Sequence, residues 1–279
     1  MLRALPGSPF DEDRALAPEI IANLEAKYGL DKSVQEQYWA YVQGLSHGDL
    51  GPSLKYPNRD VQDILWDAVP VSLSLGAWAL LLSIVLGIVA GILAAVYPRR
   101  WYGKLPAFLA SLSMSVPSFI FAAILVSVFG LWLKLVPVAL WEGAEYMILP
   151  VITLAIAPTA YITRITRSSM LDTLAQEHIK VALAKGLTNM QVILRHGLRN
   201  SLLPIITVVG PLAAILVTGS FVVEHIYALP GMGKYFVTAF INRDYFLVSG
   251  VVLIFGLILL VANTIVELFL PVFDPRLRR

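Results

Sequence analysis

Five long apolar runs limit what this chain can fold into. They cover residues 69–97, 105–133, 146–163, 201–223 and 246–273. A run of about 20 apolar residues is long enough to cross the hydrocarbon core of a bilayer. Charged residues make up only 14% of the chain, against about 25% in soluble domains. Since backbone groups in lipid must pair within their own segment, we predict an all-α integral membrane protein with five spans.

Lysine and arginine residues are concentrated in alternate connections between these runs. The connections after the first, third and fifth runs contain Arg99, Arg100, Lys104, Arg164, Arg167, Lys180, Lys185, Arg195, Arg199, Arg276, Arg278 and Arg279. Cytoplasmic loops of membrane proteins carry an excess of such residues. We therefore predict that these connections, including the C-terminal tail 274–279, are cytoplasmic.

Residues 1–68 are expected to form an extracytoplasmic helical segment. They contain six basic and eleven acidic residues, which matches the predicted side of the membrane. Pro18 and Gly29 bracket a short predicted helix at 18–28, and Ser33 with Glu36 forms a predicted capping box before a second one. A preceding apolar helix would bring such a segment to the membrane insertion machinery, which would then export it. We therefore expect an additional upstream helix; insertion tail-first is the alternative.

The connection 164–200 is too long to be a simple turn between membrane helices. The sequence predicts two short helices in it, one near residues 172–185 and one that starts at Thr188, where Gln191 completes a capping box. Gly186 lies between them and can turn the chain sharply. Small residues at this turn allow another backbone to approach, which predicts a docking site. An amphipathic helix lying on lipid headgroups is the alternative, and the residues alone leave both open.

The same connection resembles the EAA motif of binding-protein-dependent ABC importer permeases, in the variant typical of the oligopeptide and dipeptide group. The resemblance is carried by Ala182-Leu183-Ala184-Lys185-Gly186-Leu187 and by Arg195-His196-x-Leu198. The sequence departs from the motif at its first acidic position, where Lys180 or Val181 stands. In this family the loop is a coupling helix that sits in a groove of a cytoplasmic ATPase. The resemblance thus implies a coupling role for Ala182, Ala184, Lys185, Gly186, Leu187, Arg195 and His196.

Motifs elsewhere extend the resemblance over nearly the whole chain and favour the B-type subunit of an oligopeptide importer. They are Pro6-Gly7-Ser8-Pro9-Phe10, His47-Gly48-Asp49-Leu50-Gly51-Pro52-Ser53, Thr163-Arg164-x-Thr166-Arg167, Glu224-x-Ile226-Tyr227-x-x-Pro230-Gly231-Met232-Gly233, Asn242-Arg243-Asp244-Tyr245 and Asp274-Pro275-Arg276. Members typically have six spans, the first before the Pro-Gly-Ser-Pro segment.

The resemblance implies a type I ABC importer transmembrane domain at 69–273 in a bacterial inner membrane. It also implies a heterodimer with a homologous permease, two ATPases that bind ATP and magnesium, and an extracytoplasmic peptide-binding protein. A dipeptide or nickel permease is the nearest alternative. A self-contained secondary transporter would need internal repeats, and the sequence has none that we detect.

Ionisable and turn residues outside the loop are weaker candidates. Glu224, His225, Pro230 and Gly231 are candidates for a pathway or gate, because ionisable groups in apolar spans are commonly functional. The segment Gly231-Met232-Gly233-Lys234 has only part of a phosphate-binding loop motif, so we expect no nucleotide site there. No catalytic constellation is present, and the absence of cysteine excludes thiolate metal sites. We expect no cofactor in this chain.

Overall fold

The computed structural model describes residues 18–218 and 221–273 of the chain. Regular structure in these residues is helical, apart from one isolated bridge between Pro52 and Asp60. Four of the described helices are long and apolar enough to cross a membrane, and a bent pair makes a fifth if it is counted as one crossing. The predicted all-α, multi-pass membrane architecture is therefore confirmed.

Twelve α-helices follow one another in the described chain. They are α1 (Pro18–Lys27), α2 (Val34–Ser46), α3 (Val61–Val96), α4 (Trp101–Ser115), α5 (Ser118–Leu125), α6 (Ile148–Leu174), α7 (Glu177–Ala184), α8 (Asn189–Val192), α9 (Arg199–Thr218), α10 (Phe221–Ile226), α11 (Met232–Ile241) and α12 (Tyr245–Phe273). A π-helical segment extends α5 over Val126–Trp132, and another joins α8 to α9 over Ile193–Leu198.

The two short helices predicted before residue 68 are present as α1 and α2. Gly29, after α1, has a φ of +65°, in the left-handed region that glycine adopts without strain. The Ser33 hydroxyl accepts from the backbone N–H of Glu36 at 3.3 Å, and the Glu36 carboxylate accepts from the Ser33 N–H at 2.9 Å. This confirms the predicted capping box.

The second predicted span, 105–133, is helical but does not form one continuous helix. The chain forms two helical segments there, Trp101–Ser115 and Ser118–Trp132, and they meet at 110°. Val116 lies between them in an extended conformation, with φ −110° and ψ 126°. The residue before a proline is driven out of the helical region by the proline ring, and Pro117 follows directly. The apolar run is therefore continuous in sequence but broken in space.

The other long helices differ from the apolar runs mainly at their ends. Helix α3 begins at residue 61, not 69, because Val61, Ile64 and Leu65 are buried against α11 and α12. Helix α6 continues beyond residue 163 to Leu174. Residues 219–220 of the fourth predicted span and the predicted tail 274–279 lie outside the described residues, as do 1–17.

Close contacts at glycine residues show which of the long helices run parallel and which run antiparallel. A Cβ on Gly87 of α3 would lie 2.6 Å from Ile162 Cβ of α6, and one on Gly91 would lie 2.8 Å from the Thr163 carbonyl oxygen. Residue numbers therefore rise in the same direction along both helices. Gly250 of α12 approaches Val61, whereas Gly76 of α3 approaches Val217 near the end of α9. Helix α12 is thus parallel to α3, and α9 is antiparallel to both.

The two ends of the bundle consequently carry different connections. One end, which we call the α7 end, holds the last turns of α3, α6 and α12 together with α7 and α8. The opposite end, which we call the α11 end, holds α1, α2, α10 and α11. The basic connections identified in the sequence that the structure describes, after α3 and α6, lie together at the α7 end.

Candidate functional site

The connection at the α7 end folds into a compact helical hairpin. The predicted helix at 172–185 is wrong as one element, because α6 ends at Leu174 and a new helix, α7, begins at Glu177. The turn at residues 175–176 lets α7 fold back, so that Ile179 and Ala182 are buried with Val192 of α8. Burial of these side chains outweighs the local preference for a continuous helix.

Gly186 ends α7 in a hydrogen-bonded turn. Its φ is +85°, and its N–H donates to the Leu183 carbonyl at 2.9 Å while the Leu187 N–H donates to the Ala182 carbonyl at 3.3 Å. This pattern closes many helices and favours glycine. Among the described residues other than its two chain neighbours, no heavy atom lies within 4 Å of the position that a Cβ would occupy. Glycine is therefore favoured here by backbone conformation, and not by a lack of space within this chain.

Helix α8 begins with the second predicted capping box. The Gln191 N–H donates to the Thr188 hydroxyl at 3.3 Å, and the Thr188 N–H donates to the Gln191 side-chain oxygen at 3.0 Å. Both bonds lie within four residues of sequence. Gly186 and this box together set the direction in which the chain leaves α7 and enters α8.

The predicted coupling residues are not equally accessible. Ala184, Lys185, Gly186 and Arg195 are exposed, while Leu187 and His196 are half-buried. Ala182 is only 5% exposed, because it packs inside the hairpin. Large apolar side chains are also exposed around the turn: Val181, Leu183, Met190 and Leu194. The hairpin thus presents a mixed apolar and basic surface.

Two adjacent residues connect this hairpin to the bundle, and sequence reasoning did not identify their role. Val192 is buried with Ile179 and Ala182 of α7. Ile193 is buried in a different cluster, with Ala95 of α3 and Met170 of α6. The sequence shows that both residues are apolar, but it does not show that their side chains are buried in two different clusters. A displacement of α7 would therefore be passed through residues 192–193 to two long helices.

At the α11 end, Glu224 is completely buried in a polar network. Its carboxylate accepts from the Ser72 hydroxyl of α3 and from the Gly233 N–H of α11, each at 2.7 Å. The Ser72 oxygen in turn accepts from the Met232 N–H at 2.9 Å. The network joins α3, α10 and the first turn of α11. The carboxylate also lies where the N-terminal dipole of α11 stabilises negative charge.

The glycines of the adjacent turn allow the backbone to close over this network. A Cβ on Gly231 would collide with the Glu224 carboxylate and would lie 2.8 Å from the Ser72 hydroxyl oxygen. A Cβ on Gly233 would lie 2.5 Å from Phe221 Cα. Pro230 is half-buried and His225 is exposed. Glu224 and Gly231 are thus brought together, with Pro230 next to Gly231 in the chain, whereas His225 lies exposed on α10. A pathway or gate role for these residues stays a prediction.

A second buried carboxylate at this end was not singled out from the sequence. Asp244 accepts from the Ser53 hydroxyl at 2.5 Å and from the backbone N–H groups of Leu54 and Lys55 at 3.0 and 3.2 Å. Its other oxygen caps α12 by accepting from the Leu247 N–H at 3.1 Å. Two motifs that are 190 residues apart therefore form one unit, which attaches the segment before α3 to α12.

The chain is similar in sequence to known membrane transport proteins. A model of the family described as binding-protein-dependent transport system inner membrane component matches residues 87–279. The chain is 44% identical to the oligopeptide transport system permease protein OppB of Haemophilus influenzae, over 100% of this chain and 92% of that protein. It is 41% identical to the dipeptide transport system permease protein DppB of Bacillus subtilis, over 100% of this chain and 90% of that protein.

Solved structures are similar in fold. An inward-facing structure of the MetNI methionine ABC transporter matches with a TM-score of 0.65 at 15% identity, over 76% of this chain and 97% of that chain. A structure described as an amino acid ABC transporter with histidines matches with a TM-score of 0.56 at 16% identity, over 77% of this chain and 95% of that chain. The predicted importer-type transmembrane fold is confirmed by these matches.

Proposed function

The chain belongs to the family of binding-protein-dependent transport system inner membrane components, and we propose that it is a permease subunit of an ATP-driven importer of oligopeptides. It would form half of the membrane channel, paired with a homologous permease. Two ATPases would bind at the α7 end, which we place in the cytoplasm together with the C-terminus. A peptide-binding protein would deliver substrate to the α11 end of a complex in a bacterial inner membrane.

Peptide is the substrate class that the relatives favour. Oligopeptide permeases of Haemophilus influenzae and Salmonella typhimurium are 44% and 43% identical to this chain. A dipeptide permease of Bacillus subtilis is 41% identical, so dipeptides are the second candidate. We place most of the selectivity in the binding protein, since the permease must pass peptides of varied sequence.

The connection through Val192 and Ile193 is the observation that carries the coupling proposal. These neighbours place one side chain in the α7–α8 hairpin and the other between α3 and α6. Packed cores move as units and do not deform continuously. A motion of an ATPase bound to the hairpin would therefore shift the long helices as rigid bodies, between inward-open and outward-open arrangements.

Burial in the hairpin favours a docked protein over a helix that lies on lipid. Ile179 and Ala182, the residues that an amphipathic membrane helix would insert, pack against Val192 instead. The exposed Lys180 of α7 forms a salt bridge at 2.7 Å with Glu177 of the same helix, so its charge is already paired within the hairpin. The exposed surface that remains, around Leu183, Lys185 and Gly186, has the mixed character of a protein interface.

ATP hydrolysis would belong to the partner subunits. The glycine-rich turn at the α11 end is the segment of this chain most like a phosphate-binding loop. The N–H groups of Met232 and Gly233 are already bonded to Ser72 and Glu224 there. A phosphate would have to displace a buried carboxylate to reach them, and we therefore propose that this chain holds no nucleotide.

The docking proposal is tested by two substitutions at Gly186. Gly186→Trp adds a bulky side chain, and Gly186→Asn is the control, because asparagine adopts the left-handed conformation more readily than other residues with a Cβ. Space around the position is open among the described residues, but a φ of +85° strains any side chain there, so the melting temperature of each variant is measured first to show that it folds. We expect the asparagine variant to co-purify with the ATPases and the tryptophan variant to lose them. Equal retention by both variants would contradict docking at this turn.

A further inference from the structure

The short connection between α3 and α4 carries a cluster of uncompensated positive charge. This corner segment, residues 97–104, contains Arg99, Arg100 and Lys104, all exposed. The sequence has no acidic residue between Asp67 and Glu142. Within the part of the chain that the structure describes, no carboxylate forms an ion pair with any of the three cations. Their charge is therefore available to a partner.

Aromatic side chains stand beside these cations. Trp101 is 73% exposed. Tyr102 contacts it edge to face, with ring centroids 5.8 Å apart, and also contacts Tyr97 at 5.1 Å. Tryptophan and tyrosine are enriched where a membrane protein crosses the boundary between headgroups and acyl chains. The corner directly follows the 36-residue apolar helix α3, which places it at such a boundary.

An exposed apolar row continues from the cations along α4. Its members are Leu105, Phe108, Leu109 and Leu112. Spacings of three and four residues place them on one face of the helix. A charged end followed by an apolar stripe matches the two parts of a phospholipid, the headgroup and the acyl chain.

The corner is held rigidly by its own backbone. A Cβ on Gly103 would lie 2.9 Å from the Leu93 carbonyl oxygen and 2.7 Å from the Tyr97 carbonyl carbon, so α4 rests directly on the end of α3. The Arg100 N–H donates to the Tyr97 carbonyl at 3.1 Å, and the Lys104 N–H donates to the Arg100 carbonyl at 3.0 Å. The backbone positions of the cations are thus fixed before any ligand arrives.

We propose that the corner segment is a binding site for an anionic phospholipid. The phosphate of the headgroup would be held by Arg99, Arg100 and Lys104, with charge-assisted hydrogen bonds from the guanidinium groups. Trp101 would lie at the level of the glycerol backbone, and an acyl chain would follow the apolar row of α4. A zwitterionic lipid offers the same acyl contacts but no net charge to compensate the cations.

The site adjoins the candidate coupling region. Ile92 and Val96, in the last turns of α3, pack against the cluster that contains Met170 and Ile193. A lipid held at the corner would therefore brace the same end of α3 that receives motion from the α7–α8 hairpin. The inference concerns the lipid surface of this chain and does not depend on which solute the importer carries.

Fluorescence quenching at Trp101 tests the proposal. The complete transporter complex is placed in phosphatidylcholine nanodiscs that contain equal minor fractions of either brominated phosphatidylglycerol or brominated phosphatidylcholine. The Trp101 signal is the difference between the wild type and W101F. One interfacial cation contributes about 1 kcal/mol toward an anionic lipid, equivalent to about fivefold in occupancy. Because three cations face the headgroup, we expect brominated phosphatidylglycerol to quench Trp101 at a mole fraction that is lower by at least about fivefold, with the preference lost in R99Q/R100Q/K104Q.

The triple variant K27Q/K32Q/K55Q is the matched control, because it removes three exposed cations at the α11 end. It should keep the lipid preference at Trp101. Equal quenching by the two brominated lipids in the wild type would overturn the proposal. It would also be overturned if R99Q/R100Q/K104Q kept the preference. If that variant kept the preference and also lost the ATPase subunits, the three cations would bind a protein partner and not a lipid.

Discussion

Glu224 should be one of the largest single contributors to the stability of the α11 end. The residue is fully buried, and its two carboxylate oxygens accept from the Ser72 hydroxyl and the Gly233 N–H. Glu224→Ala would leave both donors inside the protein without these acceptors. A buried donor that loses its partner costs about 1–3 kcal/mol, and a cavity adds to this. Two such donors and the cavity together give an expected destabilisation of roughly 3–5 kcal/mol.

Three comparisons separate the network from general sensitivity of this region. Glu224→Gln keeps the shape and one acceptor but places an amide N–H₂ opposite one donor, so we expect about half of the loss. His225→Ala changes the exposed neighbour on the same helix and should alter stability by less than about 0.5 kcal/mol. In a Glu224→Ala background, Ser72→Ala should cost less than it does in the wild type, because the bond from Ser72 to Glu224 is already gone and only the acceptor of the Met232 N–H is then lost.

Unfolding of the purified transporter complex in mixed detergent and dodecyl sulfate micelles measures these free energies. Peptide uptake by proteoliposomes, measured alongside, shows whether a loosened α11 turn also changes transport. If Glu224→Ala proved as stable as His225→Ala, the buried network would contribute nothing and the reasoning would be refuted.

Three further predictions follow from the structure. Asp244→Ala should free the backbone of the loop that it holds, so that trypsin cleaves after the already exposed Lys55, whereas Asp63→Ala, which alters an exposed carboxylate, should leave that bond uncut. Ala228, which has a φ of +53° after α10, should tolerate glycine with a gain of about 0.5–1 kcal/mol, seen as a higher melting temperature. Ile193→Ala should leave the ATPases bound but lower peptide uptake per ATP hydrolysed, since it removes the side chain that joins the hairpin to α3 and α6; an unchanged ratio would contradict that role.

Features that depend on a few neighbouring residues could be predicted from the sequence. The two capping boxes, at Ser33 and at Thr188, each need one hydroxyl and one longer polar side chain three residues later. Left-handed turns at Gly29 and Gly186 follow from the freedom of glycine. The apolar runs predicted the membrane helices because lipid leaves a backbone few other choices.

Features that depend on distant contacts could not be predicted in this way. Nothing near Glu224 indicates that its partner is Ser72, 152 residues earlier. The break after Leu174 arises because Ile179 reaches a buried position against Val192, which only the folded hairpin reveals. Pro117 was a visible signal for the 110° bend. Other prolines, such as Pro158, lie inside continuous helices, so proline alone does not identify a break.

Reconstitution with and without the motor subunits tests the central claim most directly. Proteoliposomes that contain this chain and its partner permease are loaded with ATP and supplied with binding protein and labelled oligopeptide. We predict accumulation of peptide only when the ATPases are also present and hydrolyse ATP. Accumulation in their absence would contradict the claim that the α7–α8 hairpin receives its motion from a separate ATPase.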